Sequence, residues 1–150
     1  TKVPEETRNR ENIEFEVTES AYLENFTLSN KFFRRIGNMG CAIALDDFGT
    51  GYSSLSYLTQ INIDTLKVDR QFVMEIQTSE RSRLVTGAII DLAKRLSLSV
   101  CAEGIENLEQ WNYLREHGCD NVQGFMFSKP IPLSELTCSP SHYSDSSFSV

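Results

Sequence analysis

Residues Ala44 to Leu55, ALDDFGTGYSSL, contain the clearest indication of the architecture. Two adjacent carboxylates, Asp46 and Asp47, end an apolar run that begins at Cys41, and a Gly-Thr-Gly segment follows them. A nearly unbroken apolar run of this length is typical of a strand that is buried on both faces. Asp and Gly are also common in ordinary turns, but a turn does not explain a second Asp at the end of the strand. The segment therefore predicts a buried strand with polar chemistry at its carboxyl end.

Four further strands are predicted around this one, and helical segments separate them. The predicted strands are IEFEVTES (Ile13 to Ser20), IDTLKVD (Ile63 to Asp69), SLSVCAEGI (Ser97 to Ile105) and NVQGFMFSKPIP (Asn121 to Pro132). The predicted helices are LSNKFFRRIGNMG with Ser29 as its cap, ERSRLVTGAIIDLAKRLSL after Ser79, and NLEQWNYLREHG with Asn107 as its cap. Strands that alternate with helices must be parallel, with the helices as crossovers.

An open doubly wound sheet and a TIM-type barrel both fit this alternation, and the positions of the polar residues favour the barrel. An open sheet collects its ligand groups at one switch point, whereas in a barrel the carboxyl end of every strand contributes. Here every predicted strand ends in polar residues, which are Glu16, Asp46 with Asp47, Lys67 with Asp69, Glu103 and Gln123. We therefore predict an α/β fold of the TIM (β/α) barrel type, represented by about five C-terminal βα units, which are too few to close a barrel.

The composition suits one globular domain in a reducing compartment. The 150 residues are 40% hydrophobic and have a formal net charge of −7, which argues against binding to a nucleic acid polymer. No apolar run is long enough to span a bilayer and no secretory signal is visible, so we expect a cytoplasmic domain, with a tether to the inner membrane only through segments outside this sequence. The four cysteines lack CxxC spacing and are expected to be free thiols, with a zinc site or a disulfide framework as the weaker alternative.

Three regions are expected along the chain. Residues 1–12 form a polar leader, residues 13–133 form the folded domain, and the Ser-rich residues 134–150 form a disordered tail. Because the sequence begins at Thr1 without an initiating Met, we expect it to be a fragment or a processed piece.

The strand ends together predict a site for divalent cations. Five carboxylates against the single ammonium of Lys67 leave a charge of about −4 if all ionise at their reference pKa values. Two divalent cations would nearly cancel that charge, and an all-oxygen ligand set favours Mg²⁺ or Mn²⁺ over Zn²⁺. A metal pair is a standard device for in-line hydrolysis of phosphodiesters. Read singly, Lys67 is either a solvated lysine or, on the face that it shares with Asp69, an inward-pointing one, and the two are equally expected. Glu103 would be a strand exit and Gln123 part of a bend, while His117 is expected to interact with its helix dipole.

The same residues occur in motifs that resemble a known family. The segments FEVTES, DDFGTGYSSLSYL, LKVDRQFV, CAEGIE and VQGFMFSKPIP follow the order and spacing of the EAL domain, the bacterial cyclic di-GMP phosphodiesterase, over about residues 13 to 133. The resemblance implies a TIM-like barrel that hydrolyses cyclic di-GMP to linear pGpG with two Mg²⁺ or Mn²⁺ ions, in the signalling that regulates biofilms.

The resemblance also implies roles for the acidic residues and for Lys67. Glu16 resembles a ligand of the first metal, and Asp46 resembles the ligand that bridges both metals. Asp47 and Glu103 resemble ligands of the second metal. Lys67 resembles the catalytic lysine that holds or activates the attacking water.

Further residues match the family's supporting positions. Asp69 resembles a residue that supports Lys67 and binds the substrate. Gln123 resembles the glutamine that forms hydrogen bonds within the metal site and binds the substrate. Glu19 resembles the glutamate that steadies the loop Phe48 to Ser54, which includes Gly49, Thr50 and Gly51. In the family this loop links the site to dimerisation, so a homodimer is expected, and upstream sensory or GGDEF domains are expected partners.

One departure from the family is large. No Glu-Ala-Leu tripeptide occurs in this sequence, and the family's next strand, with its metal-binding Asn, is absent as well. The first metal would keep only Glu16 and Asp46 as ligands, and we therefore expect impaired turnover. The alternative is a non-catalytic module that binds cyclic di-GMP or another protein.

Overall fold

A computed structural model describes residues 13–49 and 55–132, and within them five parallel strands form one sheet. The strands lie side by side in sequence order, and each pairs in parallel with the next. They are β1 (Glu14–Thr18), β2 (Ala42–Phe48), β3 (Thr65–Val68), β4 (Ser99–Glu103) and β5 (Asn121–Gln123). The predicted parallel α/β arrangement of about five βα units, an incomplete barrel, is confirmed.

Helices connect each strand to the next. The α-helices are α1 (Glu19–Glu24), α2 (Phe26–Asn38), α3 (Arg70–Met74), α4 (Glu80–Arg95) and α5 (Leu108–Glu116), and two 3-10 helices cover Leu55–Thr59 and Glu75–Gln77. In this part of the chain no helix combines the length and the apolar character needed to cross a membrane.

The helix boundaries follow the predicted caps in two of three cases. The Ser79 side chain accepts a hydrogen bond from the Ser82 N–H at the start of α4. Asn107 and Gln110 form a reciprocal capping box at the start of α5, as the Asn-x-x-Gln spacing indicates. The prediction of Ser29 as a cap was wrong, because α2 starts one turn earlier with Asn25 as its cap.

All the predicted strands are longer than the observed ones, and for β1 and β5 the structure shows the reason. β1 ends at Thr18, whose hydroxyl accepts a hydrogen bond from the Ala21 N–H and starts α1, a helix that the sequence pattern did not reveal. β5 contains only three residues, because Gly124 follows in a bend and the chain turns away from the sheet. Both strands still end beside the predicted site residues.

The hydrophobic core lies on one face of the sheet, under the helices. Leu45, Leu66 and Val100 are cross-strand neighbours with at most 1% of their surface exposed. The core helices contribute Phe33 from α2 and Ile90 from α4. Burial of such side chains contributes roughly 1.5–3 kcal/mol each, so most of the stability of the sheet comes from this face.

The opposite face of the sheet is polar. Lys67 and Cys101 are register partners on it, and the Thr65 hydroxyl donates a hydrogen bond to Glu14 Oε1 at 2.6 Å. Glu103 and Gln123 are register partners at its carboxyl end. The alternation of side chains along each strand therefore separates the core from the predicted site.

The described cysteines are free thiols, as expected, and burial raises the pKa of Cys101 and Cys119. Cys41, Cys101 and Cys119 form no disulfide. Burial is the main cause that raises the pKa of Cys101 to about 11 and that of Cys119 to about 12. Cys138 lies outside the described residues.

These raised pKa values predict slow alkylation in the folded protein. At pH 8 the thiolate fraction of Cys101 is on the order of one in 1,000, and the thiolate is the nucleophile. We expect iodoacetamide to label Cys101 roughly 100-fold and Cys119 roughly 1,000-fold more slowly in the native chain than in guanidinium, measured site by site by mass spectrometry. Equal rates in the two conditions would contradict the prediction.

The predicted leader at residues 1–12 and the predicted tail at residues 134–150 lie outside the described residues, as do Thr50 and Gly51 of the predicted loop. The assignment of 13–133 as the domain therefore stays a prediction.

Candidate active site

A bulge at the end of β2 explains how two adjacent carboxylates belong to one site. In a regular strand the side chains of Asp46 and Asp47 would point to opposite faces. The register with β3 shifts between Leu45 and Phe48, and Asp47 adopts a φ of +56°. The Asp47 N–H donates a hydrogen bond to Asp46 Oδ1 at 3.0 Å, which supports this left-handed turn. The electrostatic neighbours of Asp47 are Asp46, Asp69 and Lys67.

Lys67 lies at the centre of the carboxylates. Its Nζ is 2.5 Å from Glu103 Oε1, 2.7 Å from Glu16 Oε1 and 3.5 Å from Asp46 Oδ1. Its side chain is only 5% exposed, whereas that of Glu16 is 51% exposed. The interpretation of Lys67 as a solvated lysine is therefore wrong, and the ends of β1, β2, β3 and β4 meet at its ammonium group.

Electrostatics keep Lys67 protonated and Asp47 less acidic than usual. Burial alone lowers the pKa of Lys67, but the hydrogen bonds to Glu103 and Glu16 outweigh it and raise that pKa above its usual value. Burial, followed by repulsion from Asp46, raises the pKa of Asp47. The Lys67 ammonium group thus balances part of the negative charge that the sequence analysis expected divalent cations to balance.

Gln123 and Asp69 lie at the same edge of the sheet. The Gln123 Nε2 donates a hydrogen bond to Glu103 Oε1 at 2.8 Å, so the end of β5 is joined to the cluster. Asp69 caps α3 by accepting a hydrogen bond from the Gln71 N–H at 2.7 Å, and its charge acts on Asp47. The structure gives Asp69 a structural contact that the sequence did not predict.

Glu19 connects β2 to the first 3-10 helix. Its carboxylate is 4% exposed. Oε2 accepts a hydrogen bond from the Gly49 N–H at 3.1 Å, and Oε1 accepts one from the Tyr57 hydroxyl at 2.6 Å. Sequence reasoning missed Tyr57, and its only signal was an aromatic residue in the apolar positions of SLSYL.

The donor set at the strand ends has the chemistry that a hard divalent cation requires. The carboxylates of Glu16, Asp46 and Glu103 all contact one cationic group, and carboxylate oxygens are the ligands that hard divalent cations prefer. Within the described ranges no three His, Cys, Asp or Glu side chains are already arranged around an empty metal position. The residues therefore fit a cation in type, while the Lys67 ammonium holds the centre of the cluster.

A cavity of about 480 Å³ opens beside the cluster. Its lining includes Glu103 and Gln123 from the cluster, together with Arg70, Glu106 and Phe125. Arg70 and Glu106 form a salt bridge at 2.7 Å. Neither residue was predicted as a site residue, although both lie within quoted motifs, LKVDRQFV and CAEGIE.

Comparison with known proteins places these features in a family. The EAL domain profile matches residues 2–130. A Pseudomonas aeruginosa protein named cyclic di-GMP phosphodiesterase NbdA is 46% identical over 124 residues, which cover 83% of this chain and 16% of NbdA. The chain therefore spans less than a fifth of that relative.

Solved structures agree with this assignment. The PaMucR phosphodiesterase in complex with c-di-GMP is similar with a TM-score of 0.81 and 36% identity, over 85% of this chain and 52% of that one. Klebsiella pneumoniae BlrP1 in complex with manganese and cyclic di-GMP has a TM-score of 0.75 and 36% identity, over 81% of this chain and 31% of that one. Because the profile matches most of the sequence, this chain belongs to the EAL domain family.

Proposed function

We propose that this chain carries the C-terminal part of an EAL domain that acts as a metal-dependent phosphodiesterase and hydrolyses cyclic di-GMP to pGpG. The observation that carries the proposal is the cluster of Glu16, Asp46 and Glu103 around Lys67 at the carboxyl ends of four strands. Relatives that are named for this activity, and relatives solved with this ligand, support the assignment.

The proposed cation site uses the carboxylates of the strand ends. Glu16, Asp46, Asp47 and Glu103 would hold Mg²⁺ or Mn²⁺, with Asp46 shared between two ions. Bound there, the cations would neutralise phosphate charge and lower the pKa of a bound water. The neighbour that was solved with manganese supports this choice of metal.

Lys67, Gln123 and Asp69 are proposed to assist the cations in binding and hydrolysing the phosphodiester. Lys67 is proposed to hold or activate the attacking water and to stabilise negative charge on the phosphodiester. Gln123 holds Glu103 through its amide. Asp69 is proposed to support Lys67 and the substrate from the end of β3.

The dinucleotide is proposed to lie in the 480 Å³ cavity, with its scissile phosphate toward Glu103. The volume lies within the usual range of ligand pockets. Phe125 is 52% exposed at the cavity wall and offers an aromatic surface to a nucleobase.

Hydrolysis by the purified chain tests the proposal. We expect cyclic di-GMP to be converted to pGpG in the presence of Mn²⁺, detected by liquid chromatography, and we expect Asp46→Asn to abolish the conversion. A rate below that of complete EAL domains is expected, because the Glu-Ala-Leu ligand is missing from this sequence. Conversion that persists after chelation of the metal would contradict the mechanism.

A second candidate function is binding of cyclic di-GMP without cleavage. The absence of the Glu-Ala-Leu tripeptide favours it. Micromolar binding by calorimetry together with no pGpG would support this candidate. We also propose a cytoplasmic location, a homodimer, and sensory or GGDEF domains as upstream partners, the last in line with a relative named as a bifunctional diguanylate cyclase and phosphodiesterase.

A further inference from the structure

We propose that Tyr57 is a positioning residue for the carboxylates of Asp46 and Asp47. Its hydroxyl fixes the Glu19 carboxylate, and Glu19 fixes the backbone at Gly49, two residues after Asp47. The inference rests on the proposed function, because it concerns the orientation of the proposed metal ligands.

The first step is the contact between Tyr57 and Glu19. Tyr57 is 7% exposed and Glu19 is 4% exposed, so the hydrogen bond of 2.6 Å between them is shielded from water. Burial, together with the bond to Glu19, raises the pKa of Tyr57 well above its usual value. The hydroxyl therefore remains a donor at every physiological pH.

The second step is the contact between Glu19 and Gly49. The second oxygen of the carboxylate accepts the Gly49 N–H at 3.1 Å. Gly49 has a φ of +94°, and a Cβ there would approach Phe72 Cε2 to 2.9 Å, so this backbone position suits glycine alone. The hydrogen bond from Tyr57 to one oxygen fixes the orientation of the Glu19 carboxylate. The other oxygen then points at the Gly49 N–H.

The third step leads from Gly49 to the proposed metal ligands. Asp47 is held at a φ of +56°, which is uncommon for a residue other than glycine and persists only where the surroundings support it. The backbone of Asp47 is bonded to the Asp46 carboxylate on one side, and it continues through Phe48 to Gly49 on the other. Loss of the Gly49 anchor would release the turn that aims both carboxylates.

Packing also holds the Tyr57 ring in place. Tyr22, which is fully buried in α1, lies with its ring centroid 5.6 Å from that of Tyr57. Tyr22 donates its own hydroxyl to Asn30 Oδ1 at 3.4 Å. Tyr22→Phe therefore removes a buried hydroxyl from the neighbouring ring without touching the proposed link, and it is the matched control for Tyr57→Phe.

The test compares Tyr57→Phe with Tyr22→Phe in the 150-residue chain. We expect Tyr57→Phe to weaken Mn²⁺ binding about 10-fold, as loss of an outer partner of a metal ligand does, measured from the electron paramagnetic resonance signal of free Mn²⁺. We expect hydrogen exchange of the Gly49 amide to accelerate about 10-fold in the same variant. Tyr22→Phe should change neither quantity.

A purely structural role for Tyr57 would give a different result. Both variants would then lower Tm, and Mn²⁺ binding would match that of the unaltered chain, which would overturn the proposal. Faster Gly49 exchange with unchanged Mn²⁺ binding would overturn it too, as would a failure of the unaltered chain to bind Mn²⁺. If Tyr57→Phe does not fold, Glu19→Gln tests the same link and should weaken Mn²⁺ binding to a similar extent.

Hydrolysis is measured separately in the same variants. If the unaltered chain binds Mn²⁺ but does not cleave cyclic di-GMP, the proposed function fails and the positioning role of Tyr57 is still decided by the Mn²⁺ and exchange measurements. If it does cleave, Tyr57→Phe should raise the Mn²⁺ concentration for half-maximal rate about 10-fold.

Discussion

Lys67→Met is expected to destabilise the metal-free chain by about 2–3 kcal/mol and to lower kcat/KM for cyclic di-GMP by at least about 100-fold. Methionine fills similar space but leaves Glu103 and Asp46 without the cation that they contact. The expected loss of stability is below that of a fully buried pair, because Glu16 is half exposed and remains hydrated. Urea unfolding, with and without Mn²⁺, measures the first effect, and pGpG formation measures the second.

Lys94→Met is the matched control for this change. Lys94 also contacts a carboxylate, Asp120, at 2.6 Å, but its side chain is 41% exposed, and Asp120 precedes the amino end of β5, at the opposite end of that strand from Gln123. Its removal should cost less than about 1 kcal/mol, as exposed ion pairs do, and should leave hydrolysis unchanged. We expect Mn²⁺ to restore part of the stability that Lys67→Met loses, and equal losses in both variants would refute the central role of Lys67.

Gly124→Ala is expected to destabilise the chain by about 3 kcal/mol, at the upper end of the range for an inserted methyl group. A Cβ at this position would lie closer than 3.0 Å to both the carbonyl oxygen and the nitrogen of Ile105, which real Cβ atoms do not do. Both atoms are backbone, and Ile105 is fully buried, so neither can move aside without disturbing the end of β4. Gln123 would shift together with residue 124, and the hydrogen bond from Gln123 to Glu103 would be lost.

Gly37→Ala is the matched control for Gly124→Ala. Gly37 lies in α2, and a Cβ there meets nothing within 4 Å. Alanine should therefore stabilise the chain by about 0.5 kcal/mol through higher helix propensity. Chemical denaturation measures the free energy of unfolding of both variants. We expect it to fall in Gly124→Ala and to rise in Gly37→Ala. A Gly124→Ala variant as stable as the unaltered chain would show that the bend after β5 can relax.

Much of this fold is predictable from local patterns. The apolar run before Asp46 and the alternation at LKVD place β2 and β3 correctly, because side-chain period and burial are both local properties of a strand. The capping box at Asn107 predicts the start of α5 for the same reason. The positions of the strand ends follow from these elements, and with them the meeting of Glu16, Asp46, Lys67 and Glu103.

Other features depend on contacts between distant residues and were not predictable. The left-handed Asp47 is supported by a bond to the Asp46 side chain, and its propensity alone would not indicate that conformation. The sequence alone indicates that Tyr57 is an ordinary aromatic residue of the core. Only the structure shows that its hydroxyl donates a hydrogen bond to Glu19, which lies 38 residues earlier. Helix α1 has only six residues, too few for a helical period to be recognised.

The division of the sheet into an apolar and a polar face bears on how sequences of this kind can diverge. Leu45, Leu66 and Val100 must keep their volume to keep the chain folded, whereas the side chains between them point to the other face and contribute little to that packing. Drift on the polar face can therefore extinguish catalysis while the scaffold survives. A descendant that has lost its chemistry would remain a folded protein, available to selection for some other use.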